Sequence, residues 1–458
     1  MRPTMSTLPL IAHRSPDAIV AWRDSLPVSA RQFLSDVEQV AGLLPAGRNV
    51  LNLCRDHYRF AVTLAACIVS ARTSLLPSTH TPEMVRQMRH IAPDVFCIAD
   101  QAARGVDLPV FHYPDRTPTS AADRAIPNID CEQVIAQVFT SGSTGVPEPH
   151  PKRWGSLVRS VRAEAQRLGV TAGYATLGTV PAQHMYGLES TLLMPLQSGG
   201  SLHATRPFYP ADICAALAAL PRPRLLVTTP YHLRTLLAES GTVPTADLLL
   251  SATAPLGRDL AVEAEIRFAA PLFEIYGCTE TGQIAARRPT RGAAWQTFPD
   301  VRLRCEGERV WAEGGPVPRP TPLSDVIELV DADPTHFLLH GRHAELVNIA
   351  GKRTSLGYLN YHLNAITGVL DGVFLQPLDG DDRASGGIRR LIALVVAPEL
   401  TPAALMQALR ERIDPVFLPR PLLFVDALPR NAAGKLPNQA TRAFLARLQS
   451  STTTGLPT

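Results

Sequence analysis

The sequence has little of what would place a chain quickly in a common class. Its seven cysteines (54, 67, 97, 131, 214, 278 and 305) are scattered, odd in number and contain no Cys-x-x-Cys pair. That excludes a disulfide framework and a zinc ribbon, and fits a reduced compartment. Basic and acidic side chains nearly balance, 44 against 41, and neither sign is concentrated in a stripe, which argues against a nucleic-acid surface. No apolar run reaches the ~20 residues of a membrane helix. Met1 to Ala12 lack the length and cleavage pattern of a signal peptide. The expectation is a soluble, cytoplasmic protein with a frayed polar tail from Gln449 to Thr458. Neither a Gly-Lys-Thr phosphate loop nor a GxGxxG fingerprint is present.

What is there is an apolar strand running into small hydroxyl residues and glycines: Val138-Phe139-Thr140-Ser141-Gly142-Ser143-Thr144-Gly145-Val146-Pro147. Glycine permits turns that other residues resist and lets main-chain N–H groups approach a ligand. Successive N–H groups facing one way make an anion-binding concavity, to which Ser and Thr hydroxyls add donors. The alternative is a flexible Gly/Ser linker.

Around this loop, helical and strand-like patterns alternate. Ser29 caps a helix over 29–44, with Phe33, Val37, Val40 and Leu44 on one face. A strand at 50–54, a helix at 57–72, a strand near 74–77, a helix opened by Thr81-Pro82 and a strand at 94–98 follow. Later come helix 211–220, strand 224–229, helix 230–239, strand 247–252, helix 257–268 and strand 272–276. The alternation predicts an α/β fold of parallel-rich sheets flanked by helices, with ligands at strand C-termini. After about residue 290 the pattern changes to short strands and turns. A smaller unit follows: strand 346–349, a helix near 356–365, strands 371–376 and 391–397, and helix 402–413. The expected division is 1–341 and 342–458, with the boundary at 342–345.

Four further stretches join the loop. Ile275-Tyr276-Gly277-Cys278-Thr279-Glu280-Thr281-Gly282 puts a hydroxyl and a carboxylate at a strand end. Leu323-Ser324-Asp325 precedes a strand. Gly341-Arg342-His343-Ala344-Glu345 leads into Leu346-Val347-Asn348-Ile349-Ala350-Gly351-Lys352-Arg353. Leu428-Pro429-Arg430-Asn431-Ala432-Ala433-Gly434-Lys435 lies near the C-terminus. In this order, from about residue 30 to 445, they resemble the adenylate-forming superfamily of acyl- and aryl-CoA synthetases, adenylation domains and luciferases.

The resemblance implies a large N-terminal domain, a small mobile α+β C-terminal domain, and ATP, Mg²⁺ and a carboxylic acid as reactants. An acyl-adenylate forms first; a thiol then takes the acyl group. It implies that Thr140, Ser141, Gly142, Ser143, Thr144 and Gly145 cradle the β- and γ-phosphates. Glu280 holds Mg²⁺, Thr279 donates to the α-phosphate, and Asp325 accepts from the ribose with Arg342 nearby. Tyr276 and Gly277 lie along the adenine. Ser251, Ala252, Thr253 and Ala254 line the adenine and acyl pocket. Lys435 bridges the carboxylate and the α-phosphate. The segment Pro181-Ala182-Gln183-His184-Met185-Tyr186-Gly187 borders the acyl carboxylate, with Tyr186, Thr253, Gly282 and Ile284 as walls; a satisfied core histidine is the alternative for His184.

Two departures stand out. The usual Pro-Lys-Gly is replaced by Pro147-Glu148-Pro149-His150-Pro151-Lys152-Arg153-Trp154, so Lys152 is expected in the displaced lysine's stead. The hinge aspartate is replaced by Ala344, followed by Glu345, leaving the hinge residue open. The Pro-rich stretch and the short chain most resemble stand-alone ligases of aryl-polyene and xanthomonadin-type pigment pathways. That implies a hydroxybenzoate-like acid and the phosphopantetheine of an acyl carrier protein. The alternatives are an acyl-CoA synthetase using CoA on a short or medium fatty acid, and a nucleotide-binding homologue without catalysis. His336, His340 and His343 do not have the spacing of a metal site, Arg383, Arg389 and Arg390 read as a solvated face, and Cys278 reads as a small filler.

Overall fold

A computed structural model of the chain describes residues 6–77, 79–103, 105–114, 124–141, 147–239, 241–307, 309–342, 346–349, 352–376, 390–431 and 436–453. The local signals work where they were expected. The Ser29 hydroxyl accepts from the Gln32 N–H at 3.2 Å and starts helix Ala30–Leu43. Its Phe33, Val37 and Val40 are buried. Thr81 caps helix Pro82–Ile91, with proline in the first turn.

Two large sheets carry the first three quarters of the chain. One has six strands in the order Pro147–Arg153, Val134–Ser141, Thr73–Leu76, Asn49–Asn52, Phe96–Ala99 and Val110–His112. It is parallel except for the edge pair. The other has eleven strands. Its parallel centre runs through Ala175–Gly178, Arg224–Thr228, Leu248–Ser251 and Leu272–Cys278. Beyond it lie Gly282–Arg287, Trp295–Thr297, His336–Arg342 and Asp325–Leu329, all antiparallel. Parallel neighbours need crossovers, supplied here by helices Pro210–Ala219, Pro230–Ala238 and Arg258–Phe268. The central strands are apolar throughout because both faces are covered: Leu225, Leu226, Val227, Leu249, Leu250 and Leu272 are fully buried.

The last part of the chain builds its own cores. Hairpin Leu346–Ile349/Lys352–Ser355 leads into helix Leu356–Asn364, and Asp371–Leu375, Ile392–Val396 and Leu422–Phe424 form a three-stranded sheet. Leu359, Leu363, Phe374, Leu405 and Leu409 pack together inside it. The Ser355 hydroxyl donates to the His340 carbonyl at 2.5 Å, tying this unit to the second strand of the eleven-stranded sheet, His336–Arg342.

Two features depart from the sequence reading. The expected frayed tail begins inside a helix, Asn438–Thr453, whose Leu445 is buried against Val373 and Leu394. Burial of its apolar stripe holds the helix past Gln449. The proline-rich stretch Pro147–Arg153 is an edge strand antiparallel to Val134–Ser141. Prolines at 147, 149 and 151 fall on alternate residues. The missing N–H groups therefore all face away from the partner strand, which is where an edge tolerates them.

Candidate active site

Strand Leu272–Cys278 and its antiparallel partner Gly282–Arg287 are joined by the turn that holds Thr279 and Glu280. Tyr276 lies near the strand end, its ring edge-on to Trp295 and Phe337 at 5.7 and 5.6 Å. Its hydroxyl donates to Asp325 Oδ2 at 2.7 Å. Asp325 in turn faces Arg342 across the ladder of the sheet's last two strands. Tyr276, Asp325 and the Arg342 backbone, widely separated in the chain, thus meet at one edge. Asp325, Thr253, Ala254 and Gly341 line a cavity of about 630 Å³, which Asn360 and Arg430 of the small unit close from the other side. Thr253 adopts φ +79°. A β-branched residue in the left-handed region is strained, and such strain gathers at functional sites.

The turn is tightly built. A Cβ on Gly277 would run into the Gly282 carbonyl, so no larger residue fits there. Glu280 is exposed. Burial opposes its ionisation, but the Cys278 side chain, its own backbone and the charges of His150 and Lys152 outweigh that and hold its carboxyl below the usual range. An ionised, exposed carboxylate at a strand end is a fit donor for a hard divalent cation that keeps most of its shell as water and phosphate oxygen. Burial pushes the Cys278 thiol up to about 11, and its sulfur lies 3.2 Å from the Thr281 hydroxyl; at neutral pH it is a protonated filler.

Lys152 sits at a bulge where the edge strand passes into helix Trp154–Leu168. Bulges re-aim side chains, and here the Lys152 amine turns inward and donates to the Thr279 carbonyl. Burial lowers its pKa, while Glu189, Cys278 and Glu280 act to restore its charge. Thr140 and Ser141 end strand Val134–Ser141. Gly142, Ser143, Thr144, Gly145, Ala344 and Lys435 lie outside the described residues.

Of the expected acyl-pocket residues, His184 is half-buried and precedes a π-helix over Gly187–Leu193. The Ser251 and Thr253 hydroxyls are buried and make no hydrogen bond with any described residue; the buried Tyr186 hydroxyl lies against the Thr228 backbone. Ala252, Gly282 and Ile284 are buried beside this region of the core.

The sequence reading missed a polar network behind the turn. Ser160 donates to Glu189 Oε1 at 3.1 Å and to the Gln283 carbonyl at 3.3 Å. Ser190 lies 2.7 Å from Glu164 Oε1. With the Gln283 amide assigned from the network, its NH₂ reaches the Glu164 oxygens at 2.9 and 3.0 Å and its oxygen accepts from Ser190 at 2.7 Å. Both carboxyls are fully buried. Desolvation, first, and their mutual repulsion push Glu164 up to about 8. Desolvation pushes Glu189 up to about 7 against the pull of Lys152. In sequence each is a lone glutamate, for which surface is the default; only Glu189's place after the His184–Gly187 segment hinted otherwise. A second missed pair is Arg430 with Asp371, bidentate at 2.6 Å for both bonds and largely buried.

Residues 11–359 match the family model described as AMP-binding enzyme. The chain belongs to the AMP-binding enzyme family. Its relatives include a 4-coumarate–CoA ligase from Rhodobacter capsulatus, 31% identical over 70% of this chain and 81% of that protein. A 3-hydroxybenzoate–CoA/4-hydroxybenzoate–CoA ligase from Thauera aromatica is 24% identical over 77% of this chain and 74% of its own length. Among solved structures, ATP-bound MatB from Rhodopseudomonas palustris superposes with TM-score 0.79 at 18% identity, covering 95% of this chain and 97% of that one. The anthranilate CoA ligase AuaEII in complex with anthranoyl-AMP gives 0.78 at 13% identity over 98% and 99%. These AMP-binding folds agree with the α/β expectation, and the chain is an AMP-forming acid–thiol ligase. Among the described residues no helix is long and apolar enough to cross a membrane, and no three His, Cys, Asp or Glu side chains form a metal cluster.

Proposed function

We propose that this ligase activates a hydroxylated aryl acid, with 4-hydroxybenzoate as the leading candidate, and passes it to the phosphopantetheine thiol of an acyl carrier protein. The observation that carries the aryl reading is the buried Thr253 hydroxyl, which lines the cavity beside Asp325 and, like that of Ser251 two residues earlier, makes no hydrogen bond with any described residue. A buried polar group without a partner costs about 1–3 kcal/mol. A hydroxyaryl acid bound beside them supplies the missing partner, and a site built this way rejects analogues that lack the hydroxyl. The relatives that act on 4-coumarate and hydroxybenzoates support the same class.

A carboxylic acid of pKa about 4 is already ionised at neutral pH, so attack on the α-phosphate requires no general base. It requires positioning and neutralisation of charge. In this reading Tyr276 and Asp325 hold the nucleoside, and residues 140–145 cradle the outer phosphates. Thr279 donates to the α-phosphate, His184 borders the reacting carboxylate and Lys435 bridges it to the phosphate. Glu280 holds Mg²⁺, which when bound neutralises charge on the phosphate oxygens. Residues 342–345 form the hinge on which 342–458 turns between half-reactions.

The test is ATP-dependent pyrophosphate release across benzoate, 3- and 4-hydroxybenzoate, cinnamates and medium-chain fatty acids. Hydroxyaryl acids are expected to have the highest kcat/KM; a fatty acid exceeding all of them overturns the assignment. CoA is the second acceptor, favoured by the CoA ligases among the relatives. Presenting CoA and a phosphopantetheinylated carrier to the preformed adenylate separates the two.

A further inference from the structure

We propose that Lys152 and Glu189 act as a buried positioning pair that fixes the Thr279–Glu280 turn from beneath and keeps the Glu280 carboxylate free for a divalent cation. The inference rests on the adenylating reading and names residues that reading does not use.

The turn is gripped at both ends. At one end the Lys152 amine donates to the Thr279 carbonyl, which sets the plane of the peptide leading into Glu280. At the other end Glu189 Oε1 lies 2.8 Å from where a Cβ on Gly282 would stand, and Gly282 has φ +74°. Only glycine allows the carboxylate so close and the backbone so bent. Ser160 links this end to the next strand by donating to both Glu189 Oε1 and the Gln283 carbonyl. Glu189 is presented by a π-helix, an irregularity frequent at functional sites.

Charge gives the pair its direction. Lys152 is buried, and the carboxylates whose charge reaches it are Glu189 and Glu280. A buried ammonium must be balanced. With Glu189 present, that balance comes from behind the turn. Ser160 and the Gln283 backbone hold the Glu189 carboxylate in place while its charge acts on Lys152. Without that carboxylate, Glu280, the residue that would otherwise face the cation, is the one carboxylate among the described residues whose charge reaches Lys152. Both act through the turn, Lys152 by its bond to the Thr279 carbonyl and Glu189 by its approach to Gly282.

The test uses the full-length enzyme and the variants Glu189→Gln, Lys152→Met, the double variant and Ser160→Ala. Binding of ATP with Mg²⁺ is measured by calorimetry without acid, alongside pyrophosphate exchange and thioester formation from premade adenylate. Glu189→Gln should weaken ATP·Mg²⁺ binding about tenfold, as loss of an outer-sphere orienting group does. KM for the acid and the premade-adenylate step should stay within about twofold. Lys152→Met should lose about tenfold or more in adenylation, and the double variant should be no worse, because both residues act on one turn. Ser160→Ala, a milder change, should give a smaller loss of the same kind. Wild-type ATP·Mg²⁺ affinity in Glu189→Gln, or losses in the two single variants that multiply in the double, overturns the pair. So does an equal fall in both half-reactions with a lowered melting point, which marks a general packing role. If the wild type releases no pyrophosphate with any acid, it is the functional reading that fails, and the calorimetry still decides the pair.

Discussion

Replacing Glu164 by glutamine should stabilise the protein at alkaline pH and leave it nearly unchanged at acid pH. Glu164 is fully buried and its carboxyl is raised from 4.5 to about 8. In the protonated form it closes a ring: the acid proton goes to Ser190, the Ser190 proton to the Gln283 oxygen and the Gln283 amide to the other Glu164 oxygen. A raised carboxyl favours the fold while it stays protonated and loses that advantage as pH climbs, because the unfolded chain ionises freely from about pH 4.5 upward. At pH 5 the difference is about 1 kcal/mol; at pH 7.5 to 8 it reaches about 4 kcal/mol, an upper figure if water penetrates. Glutamine is a neutral isostere and escapes the loss. For a cooperative unit of about 340 residues the entropy of unfolding is about 0.7 kcal/mol/K, so the melting point should rise by about 5 °C at pH 8 and by about 1 °C at pH 5. Scanning calorimetry at the two pH values measures this directly. An equal shift at both, or none, refutes the claim that Glu164 is held protonated in the fold.

Lys435→Ala should lower pyrophosphate exchange on the order of a hundredfold and affect thioester formation from premade adenylate much less, which single-turnover assays of each step would reveal. Tyr276→Phe removes the hydroxyl that donates to Asp325 at 2.7 Å; KM for ATP should rise several-fold with KM for the acid unchanged, in line with one lost hydrogen bond of about 1 kcal/mol. Asp371→Asn removes the charge from a largely buried bidentate pair. It should destabilise the small unit by about 3 kcal/mol, read as a lower urea midpoint or faster proteolysis after residue 345.

Short-range signals carried much of the architecture. Ser29, Thr81 and Thr401 each sit before a helix and each accepts the expected N–H bond, because capping depends on three or four neighbouring residues. The apolar runs at 224–228 and 248–251 marked central parallel strands for an equally local reason, since burial on both faces leaves no polar alternation. The proline-rich strand was legible in principle from its spacing by twos, but only the sheet order shows that it lies on an edge. The helix at the C-terminus was hidden because 449–453 is small and polar, and its register is set by Leu445 packing far upstream in sequence.

Taken alone, the order of the glycine-serine loop, Tyr276–Glu280, Asp325 and Gly434-Lys435 carried the resemblance to the family, since a run of short motifs in register is written along the chain. The partners of those residues were decided in three dimensions. That Tyr276 reaches Asp325, that Lys152 turns under Thr279 rather than outward, and that Glu164 and Glu189 are buried together all depend on which strands and helices become neighbours. The energy of a charge depends on its depth and on what faces it, and neither quantity is written along the chain.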